Sequence, residues 1–188
     1  VEAAPADPKV IYYACGESVE RLAKLPVVKS VLSRGYDVLL CTKDVDEFCF
    51  QAMMTYGEGD EARELKNVAS GDLALASEDE KAAAAETAKA HEDLFGAMKD
   101  DLGGEVERVT VSARLTREDE APACITTEGP LSLEMERIMA QMPDAGGIKS
   151  QRVLELNAAH PVFAKLVAAQ EAGDADKVRL YAELLYNQ

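Results

Sequence analysis

The sequence predicts an α/β subdomain, a small parallel sheet with flanking helices, followed by an α+β domain, with the division near residue 75. Three observations carry this. Two continuous apolar runs, Val10–Cys15 (VIYYAC) and residues 37–42 (DVLLCT), have the pattern of strands covered on both faces, with helix-forming segments between and after them. Beyond residue 76 a long amphipathic helix precedes alternating, half-buried strands. Hydrophobic residues make up 47% of the 188, enough for two cores.

Taken in order, residues 1–8 read as a tail before the first strand. Ser18 caps a short helix over 19–25, and Pro26 starts or kinks a second over 27–33, which Gly35 closes. After the second strand, Asp44 with Glu47 three residues on forms a capping box that opens a helix over 45–56. Residues 65–68 supply a third strand, so the order strand, helix, strand, helix, strand makes a parallel sheet. Gly71 and Asp72 mark the boundary. Ser77 and Glu80 form another capping box, starting a single helix to Leu102 that Gly103 and Gly104 stop. Ala84, Ala88, His91, Phe95, Met98 and Leu102 line one face of it. Residues 106–111 and 123–127 are strands expected to pair across the polar loop 116–120. Residues 152–156 (RVLEL) form a further strand and Pro161–Glu171 a helix. Gly173 and Asp174 break and recap the chain before a last amphipathic helix over 175–188, carried by Val178, Tyr181, Leu184 and Leu185.

Between the strand at 123–127 and that at 152–156 lies the stretch LSLEMERIMAQM, residues 131–142. Leu131, Met135, Ile138, Met139 and Met142 fall on one helical face, with Ser132, Glu136, Arg137 and Gln141 opposite. Pro130 marks its start; Pro143 and Gly146-Gly147 end it, giving a helix about 18 Å long. Three of the chain's six methionines lie here. Methionine is unbranched and polarizable, so such a face either repacks against varied partners or serves as an ordinary core stripe.

The charge balance, 20 basic against 35 acidic residues, leaves −15 and argues against nucleic acid and anionic membranes. No apolar run approaches the ~20 residues of a membrane span, and no signal peptide is expected. Val1 in place of methionine, and a last helix without a C-cap signal, lead us to expect a piece of a longer protein. Cys15, Cys41, Cys49 and Cys124 show no C-x-x-C spacing, and with only His91 and His160 to join them no zinc site is expected. Three of these thiols sit in apolar runs, which suits a reducing cytoplasm. The turn Gly16-Glu17-Ser18 lacks the glycines of a phosphate-binding loop or a nucleophile elbow. Both histidines read as structural, and no carboxylate has an apolar setting that would tune it for acid–base work. No active site is found.

Several segments resemble the heat-shock-protein-90 chaperone family in its bacterial branch. The most specific is Leu154-Glu155-Leu156-Asn157-Ala158-Ala159-His160-Pro161, similar to that family's L-E-(I/L)-N-P-x-H-P signature. Tyr12-Tyr13 with Gly16-Glu17-Ser18, Val45-Asp46-Glu47-Phe48, Lys66-Asn67-Val68, Val111-Ser112-Ala113-Arg114-Leu115 with Pro122-Ala123-Cys124, and Met135-Glu136-Arg137-Ile138-Met139 match in the same order. Ala158 departs from the usual proline, and the loop 116–120 is slightly longer than usual.

The resemblance implies that residues 1–75 are the last α/β subdomain of the middle domain and 76–188 the C-terminal dimerisation domain, truncated before its last helix. It implies a part of an ATP-dependent chaperone that is not itself an enzyme. ATP and magnesium belong to upstream domains of the intact protein, with no cofactor in this stretch. Client contact by unfolded or partly folded protein carries over to Leu131, Met135, Ile138, Met139, Met142 and Phe48, where Phe48 either faces the client cleft or packs under the first strand. The dimer interface carries over to the helix of Val178, Tyr181, Leu184 and Leu185. A homodimer is implied for the intact protein, and weak association or a monomer for this chain. A protein-interaction or scaffolding module without chaperone activity is the alternative.

Overall fold

The computed structural model describes residues 9–71, 73, 75–142 and 147–187. The expected tail at 1–8, Asp72 of the boundary, the helix stop at Pro143 and Gly146, and Gln188 lie outside the described residues. The chain packs as two compact units. One takes the chain up to Leu73 together with Thr127–Ser150, and the other takes Ala74–Thr126 with Gln151–Gln188. The chain leaves the first unit after Leu73, re-enters it at Thr127 and leaves again at Ser150. The packing units are therefore not two successive stretches.

In the first unit β1 (Val10–Cys15) lies between two parallel partners, β2 (Val38–Cys41) and β4 (Arg63–Asn67). Tyr12, Tyr13 and Ala14 are all buried, so both faces of β1 are covered, as its unbroken apolar run requires. An antiparallel edge strand, β3 (Thr55–Tyr56), completes the order β2-β1-β4-β3. It was not expected, because its two residues are exposed and carry no alternation. Ser18 caps α1 (Val19–Leu22) by accepting from the Arg21 N–H. Pro26 opens α2 (Pro26–Ser33), which buries Val27, Val28 and Val31, and Gly35 turns the chain with φ 83°.

The helix α3 (Asp44–Met53) starts one residue earlier and ends three earlier than expected. Its start also differs. The Lys43 N–H donates to Asp46 Oδ2 at 3.2 Å, while Glu47 turns inward and is 0% exposed. Asn67 Nδ2 donates to both Glu47 oxygens at 3.0 and 3.1 Å, and Gln51 Nε2 donates at 3.3 Å. Nothing in the sequence marks Glu47 as a buried residue. Three amide contacts replace its hydration, which is the condition for burying a charge.

In the second unit Ser77 and Glu80 form the expected capping box, with reciprocal bonds of 3.2 and 2.7 Å, at the start of α4 (Glu78–Ala90). The expected single helix is two, because the backbone breaks at His91 (φ −120°, ψ 28°) before α5 (Glu92–Asp101). The His91 ring meets Phe163 edge-on at 5.4 Å, so tertiary packing overrides the helical preference of its neighbours. The sheet runs β5 (Arg108–Val111), β7 (Gln151–Leu156), β6 (Ala123–Glu128). The expected β5–β6 pairing is therefore wrong. β7 carries Val153, Leu154 and Leu156, all almost fully buried, and takes the central place parallel to β5. α7 (Pro161–Glu171) and α8 (Ala175–Tyr186) complete the core with Phe163, Leu166, Val178, Ala182 and Leu185.

A second buried carboxylate holds this unit. Glu155 on β7 accepts from Ser112 Oγ at 2.7 Å and Thr126 Oγ1 at 2.8 Å, and pairs with Arg114 Nε at 3.3 Å. Asn157, fully buried, donates to the Arg117 and Ala121 carbonyls at 2.8 and 3.1 Å and accepts from the Ala159 N–H at 3.0 Å, pinning the loop before β6. Removing the charge partner of a buried arginine costs roughly 3–5 kcal/mol, whereas an exposed pair is worth about 0–1 kcal/mol. Glu155→Gln is thus expected to lower unfolding stability by about 3 kcal/mol. Lys81→Ala, which breaks an exposed pair with Glu78, should change it by less than about 1 kcal/mol. Urea denaturation followed by circular dichroism measures both.

Candidate functional site

The Met-rich stretch forms α6 (Leu133–Met139), shorter than the helix expected over 131–142. It starts at Ser132, not at Pro130: the Ser132 backbone is extended and its Oγ accepts from the Met135 N–H at 3.1 Å. Leu131 therefore lies before the helix, and Met142 lies in the turn after it. Ser132, expected on the polar face, is buried. Of the apolar positions, Ile138 is sealed in the core at 8% exposure, Leu131, Met135 and Met139 are half-buried, and Met142 is 52% exposed. The proposed face is thus divided, with one residue anchoring the helix and the others bordering solvent.

Polar contacts hold α6 in place. Arg137 donates to both Glu134 oxygens, at 2.9 and 2.6 Å, and to Asp44 Oδ1 of α3 at 2.8 Å. The hydrogen bonds with Glu134, and then with Asp44, push the guanidinium pKa further up and keep it charged. Glu136 accepts from the Ser150 N–H at 2.9 Å and from the Ser150 hydroxyl.

The ion pair with Asp44 joins α6 to the start of α3, the helix that carries Phe48. Phe48 is half-buried. The aromatic that packs on β1 is Phe50, whose ring centroid lies 4.8 Å from that of Tyr13. Beside Phe48, Val45, Cys49 and Met53 are exposed at i, i+4 and i+8, and Met54 and Tyr56 continue the exposed apolar surface. Met54 holds φ 56°, a left-handed value rare for a side-chain-bearing residue. The sequence reading missed these residues, although the four-residue spacing of Val45, Cys49 and Met53 was there to see.

The four residues expected at a dimer interface lie on α8, but they do not share one free face. Val178 and Leu185 are buried in their own unit and Tyr181 packs partly against its core. Leu184 is 57% exposed, and Leu180, one turn before it, is exposed too. The outward apolar pair is thus Leu180 and Leu184, while Val178 and Leu185 pack in the core of this unit.

In the turn after β1, a Cβ on Gly16 would meet Leu22 Cδ2 at 2.9 Å, Glu17 pairs with Arg21, and Ser18 accepts from the Arg21 N–H. Among the described residues no group of three or more His, Cys, Asp or Glu is placed to hold a metal, and no helix is long and apolar enough to cross a membrane.

A family model described as Hsp90 protein matches residues 1–188. A Chaperone protein HtpG of Clostridium botulinum (strain Langeland) is 45% identical over 184 residues, which is 98% of this chain and 28% of that relative. A Chaperone protein HtpG of Clostridium perfringens (strain 13) is 45% identical over 188 residues, 100% of this chain and 28% of that relative. The chain therefore spans about 28% of the length of the curated relatives it matches. Matched along its whole length by the family model, the chain belongs to the Hsp90 family, as an HtpG-like segment of that family of chaperones.

Proposed function

We propose that this chain is the part of an HtpG-type chaperone that holds non-native protein through the Met-rich segment at 131–142 and Phe48, and that α8 contributes to homodimerisation of the intact protein. One observation carries the client reading. α6 is fixed by its cap, by the Arg137–Glu134–Asp44 contacts and by Ile138. Its remaining apolar residues need not be sealed in the core to keep it folded. Each large apolar side chain withdrawn from water contributes about 1.5–3 kcal/mol, and ordering a disordered client offsets much of that. A few such anchors give weak, reversible contact with little selectivity for sequence, as a holder of unfolded chains requires.

ATP turnover and its magnesium belong, in this reading, to other regions of an intact chaperone, working in the cytoplasm as a dimer. The residues here contribute grip and association, not catalysis.

Met135→Ser with Met139→Ser should weaken suppression of aggregation of a denatured model client several-fold, read by light scattering, while the melting temperature moves only a few degrees. Unchanged suppression would instead favour an interaction module without chaperone activity. Ile138→Ala should behave differently, losing about 2–4 kcal/mol of stability as a core truncation.

For α8, Val178→Ala should lower stability by roughly 1 kcal/mol or more, whereas Leu184→Ala stays within about 0.5 kcal/mol. Sedimentation of this chain at low micromolar concentration should show mainly monomer. A tight dimer there contradicts the proposed weak association.

A further inference from the structure

Cys15 and Cys41 end adjacent parallel strands and are direct register partners. The Gly16 N–H donates to the Cys41 carbonyl at 3.1 Å, which fixes the two strand ends against each other. Neighbouring strands lie about 4.8 Å apart, within the range of Cα separations that a disulfide spans. Register partners also project their side chains to the same face of the sheet. Both thiols are free and half-buried, in contrast to the fully buried Cys124. The Glu47 carboxylate lies near enough to both thiols to act on them electrostatically. Cys15 also lines a cavity of about 310 Å³ bordered by Leu22, Val27, Asn67 and Leu133.

We propose that Cys15 and Cys41 form an oxidisable dithiol, a modification site at which hydrogen peroxide converts the two thiols into a disulfide joining the ends of β1 and β2. The two sulfurs have different roles. Burial pushes both thiols up; Glu47 raises Cys15 further, and Asp46 and Glu47 raise Cys41, which Cys15 only partly offsets. In the proposed step Cys41 attacks the oxidant and Cys15, beside Glu47, resolves. The Cys41 sulfur bonds to one peroxide oxygen, the O–O bond breaks, and the departing hydroxide takes the proton that Cys41 released, leaving as water. The product is a sulfenic acid on Cys41. The Cys15 sulfur then attacks the Cys41 sulfur, giving its proton to Glu47. The S–O bond breaks, and that hydroxide leaves as a second water with the proton passed on from Glu47. Two thiols and one peroxide give one disulfide and two waters. The raised thiol pKa values make the reaction slow, suited to sustained oxidant and not to a brief pulse.

The test uses the full chain, treated with hydrogen peroxide, alkylated and digested with trypsin without reductant. Mass spectrometry should find peptides 10–21 and 35–43 joined, lighter by two hydrogens than their sum, and separated by dithiothreitol. Cys15→Ser and Cys41→Ser should each abolish the joined pair, and Cys41→Ser should slow loss of the Cys15 thiol about tenfold. Cys49→Ser should leave the pair intact. Phenylarsine oxide, which bridges paired thiols, gives a measurement on the unaltered chain: one equivalent should protect both cysteines from alkylation. Oxidation confined to Cys49, with peptides 10–21 and 35–43 still free thiols and unprotected by the arsenical, would overturn the proposal.

Discussion

Two carboxylates withdrawn from water, Glu47 and Glu155, tie together elements that are far apart in sequence. Glu47 reaches from α3 to Asn67 at the end of β4, and Glu155 reaches from the central strand β7 to Ser112, Arg114 and Thr126. A buried ion left short of partners costs several kcal/mol, so each pair of elements must keep its geometry or lose that compensation. The constraint is directional in a way that apolar packing is not. In the first unit it fixes the face that α3 turns toward β1, which sends Phe50 inward and leaves Val45, Cys49 and Met53 outside. In the second unit it sets the segment after β5 against β7 and β6.

The same economy shapes α6. A seven-residue helix has too few turns to be stable through its own hydrogen bonds. Ser132 satisfies its first turn, Arg137 and Glu136 tie it to Asp44 and Ser150, and Ile138 provides its buried apolar anchor. Because position is set by polar contacts and one isoleucine, the methionines are released from the packing role that a core helix would demand of them. Thioether side chains at half-buried positions can change rotamer at little cost, which is what the proposed client surface needs.

Local pattern was readable where one element's own residues decide its structure. β1, β2, α2 and α7 follow from unbroken apolar runs, a proline at a helix start and a closing glycine, and all four were legible to within a residue or so. What escaped depends on distant partners. The break at His91 needs Phe163, the order β5-β7-β6 needs a strand some forty residues downstream, and the inward turn of Glu47 needs Asn67. At the candidate site, periodicity found the amphipathic stretch but assigned all five apolar residues to one role. It has no means of telling Ile138, which is sealed, from Met142, which is not. On α8 the same ambiguity merged Val178 and Leu185 with Leu184.

The distribution of exposed apolar residues bears on how the two units divide the work. Among the described residues the large hydrophobics left in water include Val45, Met53, Met54, Tyr56 and Met142 in the first unit, but only Leu180 and Leu184 in the second. Acidic side chains supply much of the surface that keeps such a chain apart from its copies, with a net charge of −15. Repulsion between like-charged copies falls off slowly with distance, whereas apolar attraction acts only at contact. Folded neighbours with the same charge are thus held off, while an unfolded segment of low net charge, the client of the proposed reading, is not. On the proposed client reading, the acid-rich composition and the exposed thioethers act together, and screening by salt should lower selectivity for clients over copies of the chain.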